Sequence, residues 1–216
     1  MGALPNTITP LTALNIARVI TLRFRQLDHN TQMILVQADS LWKEARHVSI
    51  YMFGVSADID TERLARNRLA GGLMATVKVA VSVVWANFAQ LQREIRRLEK
   101  AGADILHVDV MDGHLVPCIT VGPLFVKTLR KITSLPLEVH LYVTNPEKQI
   151  VSFVESGCDI LSFQVEGCKD PQRIVDYARK LRVKVGVGLL HRTPLHVVER
   201  VMDSIDTLIL VTRSIQ

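Results

Sequence analysis

From residue 77 onward the chain repeats one unit, a short run of β-branched apolar residues followed by a helical pattern. The runs are VKVAVSVV (77–84), DILHVDV (104–110), LPLEVHLYV (135–143), DILSFQVE (159–166), VKVGVGLL (183–190) and DTLILVT (206–212). Apolar residues run nearly unbroken within them, the mark of strands covered on both faces. Between the first two, Asn87 caps a helix with Phe88, Leu91, Ile95 and Leu98 on one face, ended by Gly102. A second helix is expected near 122–132. Asn145-Pro146, Asp170-Pro171 and Thr193-Pro194 each place a capping side chain before a Pro at the first helical position. Six strands and five helices in strict alternation imply parallel strands joined by right-handed crossovers.

Two architectures satisfy that pattern: an open doubly wound sheet, or six of the eight units of a (β/α) barrel. No Gly-x-Gly-x-x-Gly follows the first strand, so a dinucleotide fold would lack its phosphate cradle. With 48% hydrophobic residues and only 5% aromatic, the core must be aliphatic. In a barrel, function sits at the C-terminal ends of the strands. The chemically suggestive residues lie there: Ser82, His107, Asp109, His140, Gln164 and Glu166.

Other classes are disfavoured. Cys118, Cys158 and Cys168 are an odd number without Cys-x-x-Cys spacing, which argues against a disulfide framework or a structural zinc site. The net charge of +5 comes without a helix-turn-helix, zinc-finger or aromatic RNA-binding signature, so no nucleic-acid partner is expected. The longest apolar stretch is broken by Lys78, so no membrane span is expected either. Residues 1–27 lack acidic residues and carry Arg18, Arg23 and Arg25, a weak likeness to an organelle transit segment; a cytoplasmic location is the simpler expectation.

The stretch HVDVMDGHLVP (107–117) carries the densest chemistry. His107 and Asp109 are two apart on a strand, so their side chains point the same way, and His140 ends the next strand. Two imidazoles and a carboxylate suit Zn, Fe, Mn or Co, and a carboxylate can also move a proton. On spacing alone, a polar lining of a packed barrel mouth is an equal alternative.

The segments AVSVVWANF, LEKAGADILHVDVMDGHLVPCITVGP and LPLEVHLYVTNP, in this order and spacing, resemble the ribulose-phosphate 3-epimerase family from about Val77 to Thr212. The resemblance implies a TIM-type (β/α) barrel and one divalent metal. It implies a sugar-phosphate substrate, ribulose 5-phosphate or xylulose 5-phosphate of the pentose phosphate pathway, and a homo-oligomer. It makes His107, Asp109 and His140 metal ligands, Asp109 also an acid–base group, Ser82 and His140 substrate contacts, and Met111 an apolar cover over the reacting carbons. Asp112 and His114 are then loop-shaping residues. A sister group of decarboxylases uses Asp-x-Lys-x-x-Asp, and the matching Asp109-Val110-Met111-Asp112 has no Lys.

The chain departs from that pattern in places. The family's second catalytic Asp and its phosphate loops belong to strands beyond the sixth, so the barrel is expected to be incomplete, truncated after strand six. Gln164 stands where the family has His, Tyr142 and Val211 where it has Met, Cys118 where it has Asn, and Val81 where it has Pro; Leu190-His191-Arg192 replaces Asn-Pro-Gly. The organisation expected is an N-terminal extension over 1–73 and a barrel over 74–216. The extension offers QMILVQA (32–38) and HVSIYMFGV (47–55), two potential extra βα units. Because a barrel is circular, the first could fill the seventh position, with Asp39 standing in for the missing acid, and the second the eighth. The alternative to an active epimerase is a catalytically impaired relative that keeps metal or sugar-phosphate binding or acts through partner contacts.

Overall fold

The computed structural model describes residues 34–38, 48–52, 77–190 and 192–211. Eight strands form a closed barrel: β1 (Ile34–Ala38), β2 (Val48–Met52), β3 (Val77–Ser82), β4 (Ile105–Met111), β5 (Leu137–Tyr142), β6 (Ile160–Gln164), β7 (Lys184–Leu190) and β8 (Thr207–Val211). Around the barrel the order is β1-β2-β8-β7-β6-β5-β4-β3. Strands β3 to β8 are the six expected from the sequence, and every pairing among them is parallel.

The two N-terminal strands close the gap, but not in the expected order. β2 pairs with β8 in parallel and takes the seventh position, while β1 takes the eighth and runs antiparallel to both β2 and β3. The reason is chain length. Only residues 39–47 join β1 to β2, short of the dozen or so that a parallel crossover needs, so the two strands pair antiparallel. Ala38 consequently pairs with Val77, at the opposite end of the barrel from Ser82. The placement that would make Asp39 a stand-in acid is therefore not what the sheet shows; Asp39 itself, like the expected boundary at Met74, lies outside the described residues.

Among the described residues, four α-helices cover the parallel strands: α1 (Leu91–Ala101), α2 (Pro123–Ile132), α3 (Ile150–Glu155) and α4 (Pro171–Lys180). α1 follows a 3-10 turn capped by the Asn87 side chain and ends at Gly102, whose φ of 84° is the left-handed geometry that favours glycine. Asp170 caps α4 by accepting from the Arg173 N–H. The other two expected caps differ. Asn145 adopts a left-handed conformation with no side-chain capping bond. Thr193 turns its hydroxyl to Glu166, and the fifth helical segment is two 3-10 pieces, Leu195–Val197 and Glu199–Ser204.

β4, β5 and β6 are buried along their whole length. Outward residues such as Leu106, Val108, Leu141 and Phe163 meet Ile95, Leu129, Phe153 and Ile174 of the helices in one large apolar cluster. Inward residues Ala80, Ile105, Met111, Tyr142, Ile160, Ile209 and Val211 form a second, smaller cluster. Each buried aliphatic side chain contributes about 1.5–3 kcal/mol.

One device recurs three times at the N-terminal end of the barrel. An Asp just before an even-numbered strand exchanges two bonds with one residue of the strand before it. The Asp104 carboxylate accepts from the Val79 N–H at 2.8 Å, and the Asp104 N–H donates to the Val79 carbonyl at 2.8 Å. Asp159 does the same with Leu137 at 2.8 and 2.9 Å, and Asp206 with Val185 at 2.9 and 2.7 Å. These clamps set the stagger of β3–β4, β5–β6 and β7–β8 at the end of the barrel that serves stability rather than chemistry.

Candidate metal centre

The parallel register stacks the polar residues of adjacent strands. Ser82 aligns with His107, His107 with Glu138, Asp109 with His140, and His140 with Ser162. All these side chains point into the barrel and all are buried. Ser82, Asp109, His107, Glu138 and Ser162 form one hydrogen-bonded chain across four strands, with His140 beside it. The Ser82 hydroxyl donates to Asp109 Oδ2 at 2.7 Å. Asp109 Oδ1 lies 3.2 Å from His107 Nε2 and 4.0 Å from His140 Nδ1. His107 Nδ1 lies 3.0 Å from Glu138 Oε2, and Glu138 Oε1 accepts from the Ser162 hydroxyl at 2.9 Å.

Two glycines make room for it. A Cβ on Gly186 would fall within the radius of Ser162 Oγ and 3.0 Å from Ser162 Cβ. One on Gly188 would lie 2.5 Å from Gln164 Oε1 and 2.7 Å from His140 Nε2. The two glycines of VKVGVGLL are thus spaces that neighbouring polar side chains occupy.

Burial and charge act against each other here. Burial disfavours a charged His107, but Asp109 and Glu138 beside it outweigh that and raise its pKa above the ordinary imidazole value. Burial pushes the Asp109 carboxyl up, offset in part by His107 and by the Ser82 bond. Burial, then His107, hold His140 well below its ordinary value, so it is a neutral imidazole, the form that binds metals. Burial and the nearby Asp109 charge lift the Tyr142 phenol well above its usual range.

His107, Asp109 and His140 can each offer one donor atom, and these atoms all lie within 4.8 Å of one another. That donor set fits a divalent cation. His107 Nδ1 faces Glu138 Oε2, while its Nε2 faces Asp109 Oδ1.

The remaining sequence candidates divide. Met111 is buried in the inner cluster and aligns with Tyr142, whose ring centroid is 4.3 Å from that of His140. Thr120 pins the end of β4 by donating to the Asp109 carbonyl at 2.6 Å and accepting from the Met111 N–H at 3.0 Å. Asp112 accepts from the His114 N–H and from the Thr144 N–H and hydroxyl, tying the loop after β4 to the loop after β5. Gln164 is fully buried beside the Tyr142 phenol, while Glu166 accepts from the Leu190 N–H and the Thr193 hydroxyl. Sequence reasoning missed Glu138 and Ser162. The signal for Glu138 was present: it stands two before His140, the same spacing that linked His107 to Asp109. A surface hollow of about 500 Å³ lined by Glu147, Asp170, Arg173, Asp176, Tyr177 and Lys180 lies outside α4 and shares no residue with this centre.

Comparison with known proteins agrees with the fold. Residues 78–214 match the model of the ribulose-phosphate 3 epimerase family. The chain is 46% identical to the ribulose-phosphate 3-epimerase of Bacillus subtilis over 136 residues, covering 63% of this chain and 63% of that one. It is 42% identical to the chloroplastic ribulose-5-phosphate-3-epimerase of Arabidopsis thaliana over 136 residues, covering 62% of this chain and 48% of that one. The chain therefore matches roughly half to just under two thirds of the length of these relatives. Among solved structures, the N-succinyl Arg/Lys racemase of Bacillus cereus superposes with a TM-score of 0.50 at 17% identity, over 70% of this chain and 41% of that one, a likeness of fold alone. With its matched strands carrying the whole buried His–Asp–His cluster, the chain belongs to the ribulose-phosphate 3-epimerase family.

Proposed function

We propose that this chain binds one divalent metal (Zn, Fe, Mn or Co) and a ketopentose phosphate, and that Asp109 moves the proton at C3 of ribulose 5-phosphate or xylulose 5-phosphate. The observation that carries this is the convergence of His107, Asp109 and His140 donor atoms within 4.8 Å, fully buried inside the barrel. His107 and His140 would hold the cation with Asp109. Bound there, a divalent cation supplies Lewis-acid stabilisation of negative charge developing on the sugar oxygens.

The rest is the work of the chain's own residues. Asp109 takes the C3 proton; the C–H electron pair moves into the C2–C3 bond, and the carbonyl pair moves onto the C2 oxygen as an enediolate. Return of a proton to C3 reverses this. Burial raises the Asp109 carboxyl above its ordinary value, and a bound cation would act the other way. The Ser82 hydroxyl holds Oδ2 and fixes the plane of the carboxylate. Met111 supplies apolar cover next to it.

Inversion at C3 needs a second group on the opposite face. Deuterium wash-in separates the outcomes. Purified chain, loaded with metal and incubated with ribulose 5-phosphate in D2O, is expected to place deuterium at C3. Exchange with epimerisation identifies an epimerase with a second acid; exchange without it identifies Asp109 working alone. Absence of both exchange and metal uptake would defeat the proposal.

A further inference from the structure

We propose that Glu138 is a positioning residue of the metal centre: it fixes His107 with the proton on Nδ1, leaving Nε2 for the cation, and it supplies the second buried negative charge that balances a divalent ion. The inference rests on the metal reading of the site given above.

Glu138 sits opposite His107 in the β4–β5 register and is 2% exposed. A carboxylate so deeply buried is costly unless its oxygens are paired. Here both are. Oε2 is 3.0 Å from His107 Nδ1 and Oε1 accepts from Ser162 at 2.9 Å. Held at both oxygens, the carboxylate cannot turn away from the ring. A carboxylate accepts and does not donate, so the Nδ1 atom that faces Glu138 carries the proton. Nε2 is then the atom left for coordination, and it is the one that faces Asp109 Oδ1.

The charge count points the same way. Among the described residues, Asp109 and Glu138 are the two buried carboxylates of the chain, and the imidazoles that bind metal are neutral. A divalent cation brings the sum to zero. Without Glu138 the described residues would leave one positive charge of the loaded centre unbalanced in a water-poor interior, which burial disfavours.

The test is metal binding by the full chain, with Zn²⁺ and Co²⁺ titrated against a chromophoric chelator. Glu138→Gln keeps the shape and can still accept from Nδ1–H, but removes the charge. It is expected to weaken both ions about 10- to 100-fold while circular dichroism stays unchanged. Affinity equal to that of the parent chain would overturn the proposal. A second measurement uses the parent chain alone. Ring ¹⁵N shifts of His107, taken metal-free above the imidazole titration, are expected to show the proton on Nδ1; a proton on Nε2 overturns the proposal, even if Glu138→Gln fails to fold. If the parent chain takes up neither ion, the metal reading fails instead, and the His107 tautomer still decides the role of Glu138.

Discussion

Gly186→Ala tests the physical basis of the buried polar chain. The new methyl would fall on Ser162 Oγ and lie 3.0 Å from Ser162 Cβ and 3.5 Å from its Cα. Ser162 must rotate and the β6–β7 pair must give by a few tenths of an ångström. Overpacking of this kind costs about 1–3 kcal/mol. Rotation also breaks the bond from Ser162 to the Glu138 carboxylate, and a bond to a charged group contributes about 1.5–3 kcal/mol. The total is about 2.5–6 kcal/mol, a large part of the roughly 5–15 kcal/mol that holds a domain together. Urea denaturation at constant m measures it. The decisive comparison is a double-mutant cycle with Ser162→Gly, which loses the same bond but empties the space. Once Ser162 is glycine, Gly186→Ala should cost little, so the two changes couple by at least about 1 kcal/mol. Additivity within about 0.5 kcal/mol would refute the reasoning that Gly186 is glycine because Ser162 occupies its Cβ volume.

Three further outcomes are expected. Asp159→Ala removes the acceptor for both the Leu137 N–H and Arg130, and should lower stability by about 1–3 kcal/mol in urea melts while leaving Zn²⁺ affinity unchanged, because the clamp lies at the far end of β5 from His140. Gly188→Ala pushes a methyl against Gln164 Oε1 and His140 Nε2, so its main effect should be weakened metal uptake, read by the same chelator competition; intact affinity would contradict the packing described. Burial works against ionising Asp112, but the bonds from Thr144 and His114 outweigh it and hold its carboxyl below the ordinary value. The stabilisation by Asp112 is thus fully present above its unfolded pKa of about 3.9 and is lost as pH falls through the lower folded value. The gap in urea midpoint between the parent chain and Asp112→Asn should shrink over that acid range and stay constant from about pH 5 upward.

Much of this molecule was legible in its sequence because two periodicities carried it. Continuous apolar runs located β3 to β8 to within two residues or so at their ends, and the two-residue spacing of His107 and Asp109 put both on the inner face. What was not legible depended on neighbours in space. Glu138 read as one more charged residue at the start of a strand; only the register that aligns it with His107 gives it a role. Thr193 looked like a cap until the fold brought Glu166 within reach of its hydroxyl. The Asp at 104, 159 and 206 preceded its strand each time, yet its partner lies 21 to 25 residues away along the chain. The order of β1 and β2 turned on a connection too short for a crossover, a constraint visible in the sequence but outweighed by the analogy of repeating βα units.

Closure of the barrel by β2 and β1 also bears on the reaction. It removes the open edges that six strands alone would expose. It also decides what the strands opposite Asp109 can contribute. At the functional end, β2 ends at Met52, one residue beyond the Tyr51 that pairs with Val211, and antiparallel β1 begins at Ile34, which pairs with Val81. The strand sequences ILVQA and VSIYM contain no Asp, Glu or His. Among the described residues, the buried carboxylates are Asp109 and Glu138, and the second is committed to His107 and Ser162. Among the described strands, Asp109 is therefore the buried carboxylate open to the proposed proton transfer. If the proposed reaction holds, the strands would support C3 exchange and inversion would require an acid from outside them; the ratio of exchange to epimerisation in D2O measures whether such an acid is supplied.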